Sequence, residues 1–424
     1  MGNETKIKLL DLIMCLSDAM DFIDPAVVSH HKQVAYIAYS IGTEMGLSLA
    51  QQNELLLAGA LHDIGAFSLK ERKDILQFEI DNPSRHAEAG YALLKLFEPL
   101  SSVASIIRFH HISWDQAKRA EFKKQRVPVA SHIVHLADRV AILINKKQEV
   151  LGQVSGIRER IKDKSGTMFM PQIVDAFMNS SSKEYLWLDI VSPSIHSILS
   201  HKLKGSSFEL ASEDMIGFSK LFSRIIDFKS PFTATHSSGV AVSAELLARL
   251  SGFTESDCRM MRIAGYLHDL GKLAVPVEIL NKPAKLKESE FNVIRHHTFY
   301  TFRILETIPS LKVINKWASF HHERLNGSGY PFHLKKKNLP IGSQIMAVAD
   351  VFTAITENRP YRAGMTRGNA LSVLDTMAND SALNKEIIAV LKANYNEIDS
   401  ARMFAQASAT REYKGVDKKI REFK

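Results

Sequence analysis

Cysteine is nearly absent from this sequence: Cys15 and Cys258 are the only two among 424 residues. That count excludes a disulfide framework and a thiolate metal site, and both residues read as buried, reduced thiols. Long apolar runs are absent too. No stretch reaches the roughly 20 residues that a membrane-spanning helix needs. The opening segment, MGNETKIKLLDLIMCLSDAMDF, carries Glu4 early and Asp11 inside its apolar part, unlike a secretory signal. Lys6 stands where myristoylation needs Ser or Thr. These absences predict a cytoplasmic protein with no membrane partner. Neither a Gly-rich phosphate loop nor an aromatic-interleaved RNA motif is visible, so a nucleic-acid polymer is not an expected partner.

What is present is ordinary in bulk. Hydrophobic residues make up 45% and charged residues 24%, the balance of a soluble globular chain long enough for two or three domains. The formal net charge is +8, concentrated partly in Lys335-Lys336-Lys337 and in the tail from Lys414 to Lys424. Such runs are usually solvated faces. They favour the approach of an anion without choosing which anion.

Histidine carries the information. The first half contains His30, His62-Asp63, His86, His110-His111 and Asp138; the second contains His236, His268-Asp269, His297, His321-His322 and Asp350. The first His precedes the HD pair by 32 positions in both halves, and the lone His precedes the HH pair by 24 in both. The last gap is 27 in one and 28 in the other; only the HD-to-lone-His gap differs clearly, 24 against 29, as a loop insertion would produce. Neighbouring text agrees: LAGALHDIGA parallels IAGYLHDLGK, HAEAGYALL parallels HTFYTFRIL, and VHLAD parallels AVAD. The chain therefore reads as a tandem duplication. Residues 1–180 form an N-terminal copy and 215–400 a C-terminal copy. Residues 181–214 read as a linker with a short helix, and 401–424 as a basic tail.

Around the histidines the apolar residues recur at helical spacing, with Gly252 and Gly271 as stops. The fold class is all-α: two tandem helical domains. The HD pair then falls at a helix end. Adjacent helical residues point about 100° apart, so one metal accepts both only near a terminus, or if the Asp bridges to a second metal. The remaining ligands come from facing helices, as in a bundle. Five imidazoles and two carboxylates per copy suit iron, manganese, zinc or nickel, with iron or manganese preferred. Seven ligands exceed the needs of one ion. Two ions can share a bridging hydroxide and neutralise a phosphate, which is what phosphodiester hydrolysis requires. The other seven histidines, His31, His132, His135, His196, His201, His296 and His333, read as core residues.

The second half resembles the HD-GYP family of bacterial phosphodiesterases. HDLGK (268–272), HHERLNGSGYP (321–331) and VADVFTAITENRPYR (348–362) carry the resemblance. It implies hydrolysis of cyclic di-GMP, or of a related cyclic dinucleotide, to a linear product; the alternatives are an HD phosphohydrolase for another nucleotide and a non-catalytic nucleotide sensor. It implies His236, His268, Asp269, His297, His321, His322 and Asp350 as ligands of two divalent ions, with Asp269 bridging. It also implies Lys272 as a catalytic cation at the phosphate, Arg359 and Arg362 as phosphate-gripping residues, and Gly329 and Tyr330 in the loop that meets substrate. A homodimer is compatible with this reading. Two departures stand out. Phe232 occupies the position of a Glu that holds a third metal in some members, and Thr353 replaces the family's Asp three residues after Asp350.

The first copy departs further. It retains His30, His62, Asp63, His86, His110, His111 and Asp138, a second candidate metal site. It has Ala66 where the second copy has Lys272, no GYP string after His111, and nothing like RPYR after Asp138. A regulatory or structural role is expected for it.

Overall fold

A computed structural model of the chain describes residues 7–21, 29–66, 71, 78, 84–119, 126–202, 209–210, 212–230, 235–282, 284–358 and 362–422. Among them the only strands are the two-residue segments Ile7–Lys8 and Glu209–Leu210; the rest is helix and connection, the all-α class expected. The chain forms two compact units, built on residues 8–209 and 210–417. Among the described residues, no helix is long and apolar enough to cross a membrane.

The first unit contains α1 (Leu9–Asp21), α2 (His30–Glu44), α3 (Leu49–Leu61), α4 (Ser84–Leu94), α5 (Ser101–Arg108), α6 (Trp114–Arg119), α7 (Val129–Leu143), α8 (Val154–Asp163), α9 (Pro171–Ser180), α10 (Glu184–Ile190) and α11 (Ile195–Lys202). The second contains α12 (Ser212–Lys229), α13 (His236–Leu250), α14 (Glu255–Leu267), α15 (Val277–Leu280), α16 (Glu288–Glu306), α17 (Lys312–Ser319), α18 (Ile341–Thr356), α19 (Arg367–Asn379), α20 (Lys385–Ala393) and α21 (Tyr395–Glu422).

Each unit is organised by three equivalent helices. In the first, α2 packs on α3 and α7; in the second, α13 packs on α14 and α18. These helices bury side chains around most of their circumference, as central bundle helices do. The hairpins that place them begin with caps at matching positions. Ser48 forms a capping box with Gln51 ahead of α3, and Thr254 accepts the Asp257 N–H ahead of α14.

The duplication is visible at atomic detail in one pair of glycines. A Cβ on Gly65 would lie 2.1 Å from the His86 carbonyl oxygen, and one on Gly271 would lie 1.9 Å from that of His297. In both units the turn after the HD pair is pressed against the helix that carries the lone His. Gly271 is thus required by close approach; α14 itself ends at Leu267, four residues before the stop expected from sequence.

Two segments differ from expectation. Residues 181–214 do not read as a linker with one short helix: α10 and α11 both lie in this span. Leu186, Trp187, Ile190 and Leu199 are buried, and Trp187 packs on Phe177 with its indole N–H donated to the Ser181 carbonyl. Burial of each such side chain contributes roughly 1.5–3 kcal/mol, enough to hold helices too short to stand alone. The basic stretch 401–424 is not a loose tail through its described part. It continues α21, which buries Tyr395, Ile398, Arg402, Ala409 and Val416 as one stripe. Glu412 of α21 receives Lys220 at 2.8 Å and Arg224 at 2.7 Å from α12.

Candidate metal centres

In the second unit the sequence positions converge. His268 caps the C-terminus of α14, and Asp269 opens the following 3-10 turn, so the two side chains leave the backbone where the helical spacing no longer separates them. His236 enters from the first residue of α13, His297 from α16, His321 and His322 from just beyond α17, and Asp350 from α18. Ligand atoms of His236, His268 and Asp350 lie within 4.8 Å of one another; so do those of His268, Asp269 and His321, and those of His297, His321 and His322. His236 Nε2 is 3.1 Å from Asp350 Oδ1, and His297 Nε2 is 3.4 Å from Asp269 Oδ1.

The imidazoles are oriented by their own helices. Nδ1 of His268, His297 and His321 donates to the carbonyl three residues back, Gly265 at 2.7 Å, Ile294 at 2.6 Å and Ala318 at 2.6 Å. A carbonyl only accepts, so Nδ1 carries the proton, and in the neutral His297 and His321 rings Nε2 is a lone pair aimed at the centre. Burial favours the neutral form of three rings of the centre: it lowers His297 to about 4, His322 to about 3, and His321 well below the ordinary range. Nε2 of His297 and Nε2 of His321 face each other at 3.4 Å. Two lone pairs held that close in a dry interior call for a cation between them. Burial opposes ionisation of Asp269, yet His268 and Lys272 hold it well below the usual carboxylate range. The donor set fits divalent metal.

Lys272 Nζ lies 2.6 Å from Asp269 Oδ2, at the edge of the cluster and partly exposed. Thr353, which replaces the family's Asp, is buried; Asp269 itself supplies the carboxylate partner of Lys272. The HHE…GYP loop is shaped by Glu323, a residue to which the sequence reading assigned no role. It is fully buried and accepts the backbone N–H groups of Phe332 at 2.7 Å and Leu334 at 2.9 Å. Gly329 is required because a Cβ there would sit 2.4 Å from Glu323 Cα. Tyr330 lies against His322, ring centres 4.9 Å apart, with the Arg295 guanidinium 4.8 Å from its ring. Arg362 is exposed, and its described hydrogen bond is to the Ala354 carbonyl at 2.6 Å, not to the cluster. Arg359 and Phe232 lie outside the described residues.

Two further groups behind the ligands escaped the sequence reading. Glu357 Oε2 lies 3.2 Å from His236 Nδ1 and accepts from Gln406 of α21 at 3.1 Å. Although burial alone would lower His236, Glu357 and Asp350 on its two nitrogens push it up to about 10. Asp227 of α12 is wholly buried, which raises its carboxyl to about 8. No local pattern announces either. Glu357 is 121 positions from its histidine, and a lone acid two residues before Arg359 is unremarkable by itself.

The first unit gathers its seven candidates as well. Asp63, His86, His110 and His111 form one group and His30, His62 and Asp63 another, each within 4.8 Å; Asp138, the seventh, lies 3.2 Å from His30 and 3.7 Å from His62. His62 and His110 repeat the orienting bond, Nδ1 to the carbonyls of Gly59 at 2.9 Å and Ile107 at 2.6 Å. Of the seven histidines read as core residues, His31, His132 and His135 are buried, all in this unit. His196 is half-buried, and His201, His296 and His333 are exposed, so the core reading fails for these four. Exposed rings of this kind have solvent for their nitrogens, whether in mid-helix as at His296 or in a loop as at His333, whose Nδ1 also bonds the Gly327 carbonyl at 3.3 Å.

The profile of the HD domain matches this chain twice, over residues 27–143 and 220–387. The 3'3'-cGAMP-specific phosphodiesterase 1 of Vibrio cholerae is 31% identical over 404 residues, 92% of this chain and 93% of the relative. The chain belongs to the HD-GYP family of phosphodiesterases. Other relatives match less than half of the chain. The V. cholerae 3'3'-cGAMP-specific phosphodiesterase 3 is 39% identical over 41% of this chain and 38% of its own. The cyclic di-GMP phosphodiesterase response regulator RpfG of Xanthomonas campestris is 35% identical over 42% and 47%. A crystal structure of a V. cholerae cyclic GMP-AMP specific phosphodiesterase has a similar fold, with a TM-score of 0.64 at 23% identity over 92% of this chain and 98% of that one. This chain is accordingly a two-HD-domain hydrolase.

Proposed function

We propose that the second unit hydrolyses a cyclic dinucleotide, cyclic di-GMP or 3'3'-cGAMP, to a linear product. The observation that carries this reading is the meeting of seven ligands from five helical elements beside the partly exposed Lys272. 3'3'-cGAMP stands beside cyclic di-GMP because the relative that matches along nearly the whole chain bears that name.

His236, His268, Asp269, His297, His321, His322 and Asp350 would hold two divalent ions, iron or manganese, the metals that imidazole and carboxylate together suit. When bound, such ions supply a water of lowered pKa and neutralise charge on the phosphate. The protein's own groups do the rest. Asp269 offers its two oxygens to opposite halves of the cluster, His268 on one and His297 on the other. Lys272 can turn from Asp269 toward a phosphate oxygen as negative charge grows there. Tyr330, backed by Arg295 and His322, offers a flat wall for a nucleobase. Arg359 and Arg362 would grip phosphate, the role that the family resemblance implies for them. The first unit, with Ala66 in place of the lysine, takes no part in the chemistry.

The test is turnover of both dinucleotides by metal-loaded, reduced, full-length protein, with product identification. Wild type should yield a linear dinucleotide or mononucleotides, and Asp269→Ala neither. Tight binding with no turnover by the wild type would leave a sensor rather than an enzyme.

A further inference from the structure

The first unit keeps a donor set for which hydrolysis gives no use. His110 donates its Nδ1–H to the Ile107 carbonyl, so the tautomer that can ligate a metal presents Nε2 as a lone pair. That lone pair faces Asp63 Oδ1 at 3.8 Å, and both atoms are buried without a hydrogen-bond partner. Two acceptors confronting one another away from water are costly unless a cation lies between them. Beside them, Nε2 of His86 and Nε2 of His111 meet at 2.9 Å. Asp63, His86, His110 and His111 bring four ligand atoms within 4.8 Å of one another. Three imidazoles and a carboxylate make a closed, four-ligand set, the kind that holds a structural divalent ion and leaves no open position for a reacting water.

The other half of this centre is different. Asp138 Oδ1 faces His30 Nε2 at 3.2 Å and His62 Nε2 at 3.7 Å. Its Oδ2 is already taken by Arg139, whose guanidinium is 1% exposed and also donates to the Phe78 carbonyl at 3.1 Å. A guanidinium keeps its charge in any protein environment. Arg139 is pinned on both sides and cannot turn away. Lys272, the cation beside Asp269 in the other unit, is 16% exposed on a flexible stem and can. The residue after Asp350 is Val351. Arg139 therefore supplies, permanently, the positive charge that a second ion would bring.

The geometry points to a closed one-ion site for a borderline divalent cation at Asp63, His86, His110 and His111, with Arg139 excluding a second ion at His30, His62 and Asp138. The ion ties α4, the end of α3 and the turn after α5 together and so stabilises the first unit. This assignment concerns residues of that unit alone and does not depend on the hydrolase reading.

The experiment is metal analysis of full-length protein loaded with Zn2+ or Mn2+ and freed of loose ions, with melting temperature as a second readout. His110→Ala should lose one ion per chain relative to wild type and respond less to added metal in its melting temperature. His30→Ala should lose none. If His110→Ala fails to fold, His86→Gln carries the same expectation. Unchanged metal content in the His110 or His86 variant overturns the site, and loss of an ion in His30→Ala overturns the one-ion assignment. Asp269→Ala, measured in parallel, reports separately on the second unit, so a failure there is told apart from a failure here.

Discussion

The two units share one scaffold and differ in the cation each keeps beside its carboxylates. In the second, the cation beside the HD aspartate is a lysine at the edge of the cluster, partly exposed. In the first, that position is Ala66, and the cation is Arg139, buried against Asp138. A lysine on a flexible stem can follow a reacting phosphate; a locked guanidinium can only balance a carboxylate. Retention of metal ligands is thus a weaker sign of catalysis than the freedom of the neighbouring cation.

The strongest way to break this comparison is to remove the HD aspartates one at a time. Asp269→Ala should lower kcat/KM for the cyclic dinucleotide by more than the roughly 10²–10³-fold that one lost charge-stabilising group costs. Asp63→Ala should leave kcat per folded molecule near that of wild type. Equal losses in the two variants, in the same turnover assay, would abolish the division of labour. Next comes the lysine. Lys272→Ala should retain its ions by elemental analysis and lose about 10²–10³-fold in kcat. Ala66→Lys, placed in a chain already carrying Asp269→Ala, should restore nothing; measurable turnover there would show that the first unit lacks only a cation. A smaller effect is expected at Glu357, which grips the far nitrogen of His236. Glu357→Gln should weaken metal binding in the second unit by about 10–100-fold, read by competition with a chelator, as removal of such supporting groups typically does. The smallest contrast should be at the paired glycines. Gly65→Ala and Gly271→Ala each push a methyl group into a histidine carbonyl and should cost roughly 1–3 kcal/mol in urea unfolding. Because the close approach is common to both units, a large difference between the two would mean that one turn relaxes where the other cannot.

The parts of the molecule that the sequence displays are those governed by short spacing. The helical setting of each histidine follows from apolar residues a few turns apart, and the repeat shows because the same gaps recur: His236 opens α13, His268 caps α14, His297 lies in α16, the HH pair follows α17 and Asp350 lies in α18. What it hides depends on distance. Glu357 and Gln406 matter only because α18 and α21 fold back beside α13. Trp187 turned an expected linker into two packed helices because Phe177 offers it an aromatic partner and the Ser181 carbonyl takes its N–H, which the Ser-rich text around it conceals. The basic composition of the last segment suggested a tail, but its apolar residues recur on one stripe of α21, and Glu412 turns toward two cations of α12. Arg139 looked like any charged residue after an aspartate; only its burial reveals what it does. The exposed His201, His296 and His333 show the converse, since an isolated histidine carries no mark of whether its surroundings are wet or dry.

Five of the ligand histidines, His62, His110, His268, His297 and His321, lean their Nδ1–H on the peptide three residues earlier in their own chain segment. Ring orientation there is inherited with the backbone and asks nothing of any remote side chain. A gene segment encoding such a domain can be copied and its surroundings rewritten, and the donor atoms still arrive facing inward. Divergence is then free to act on the charges around the metal while the grip on the metal persists.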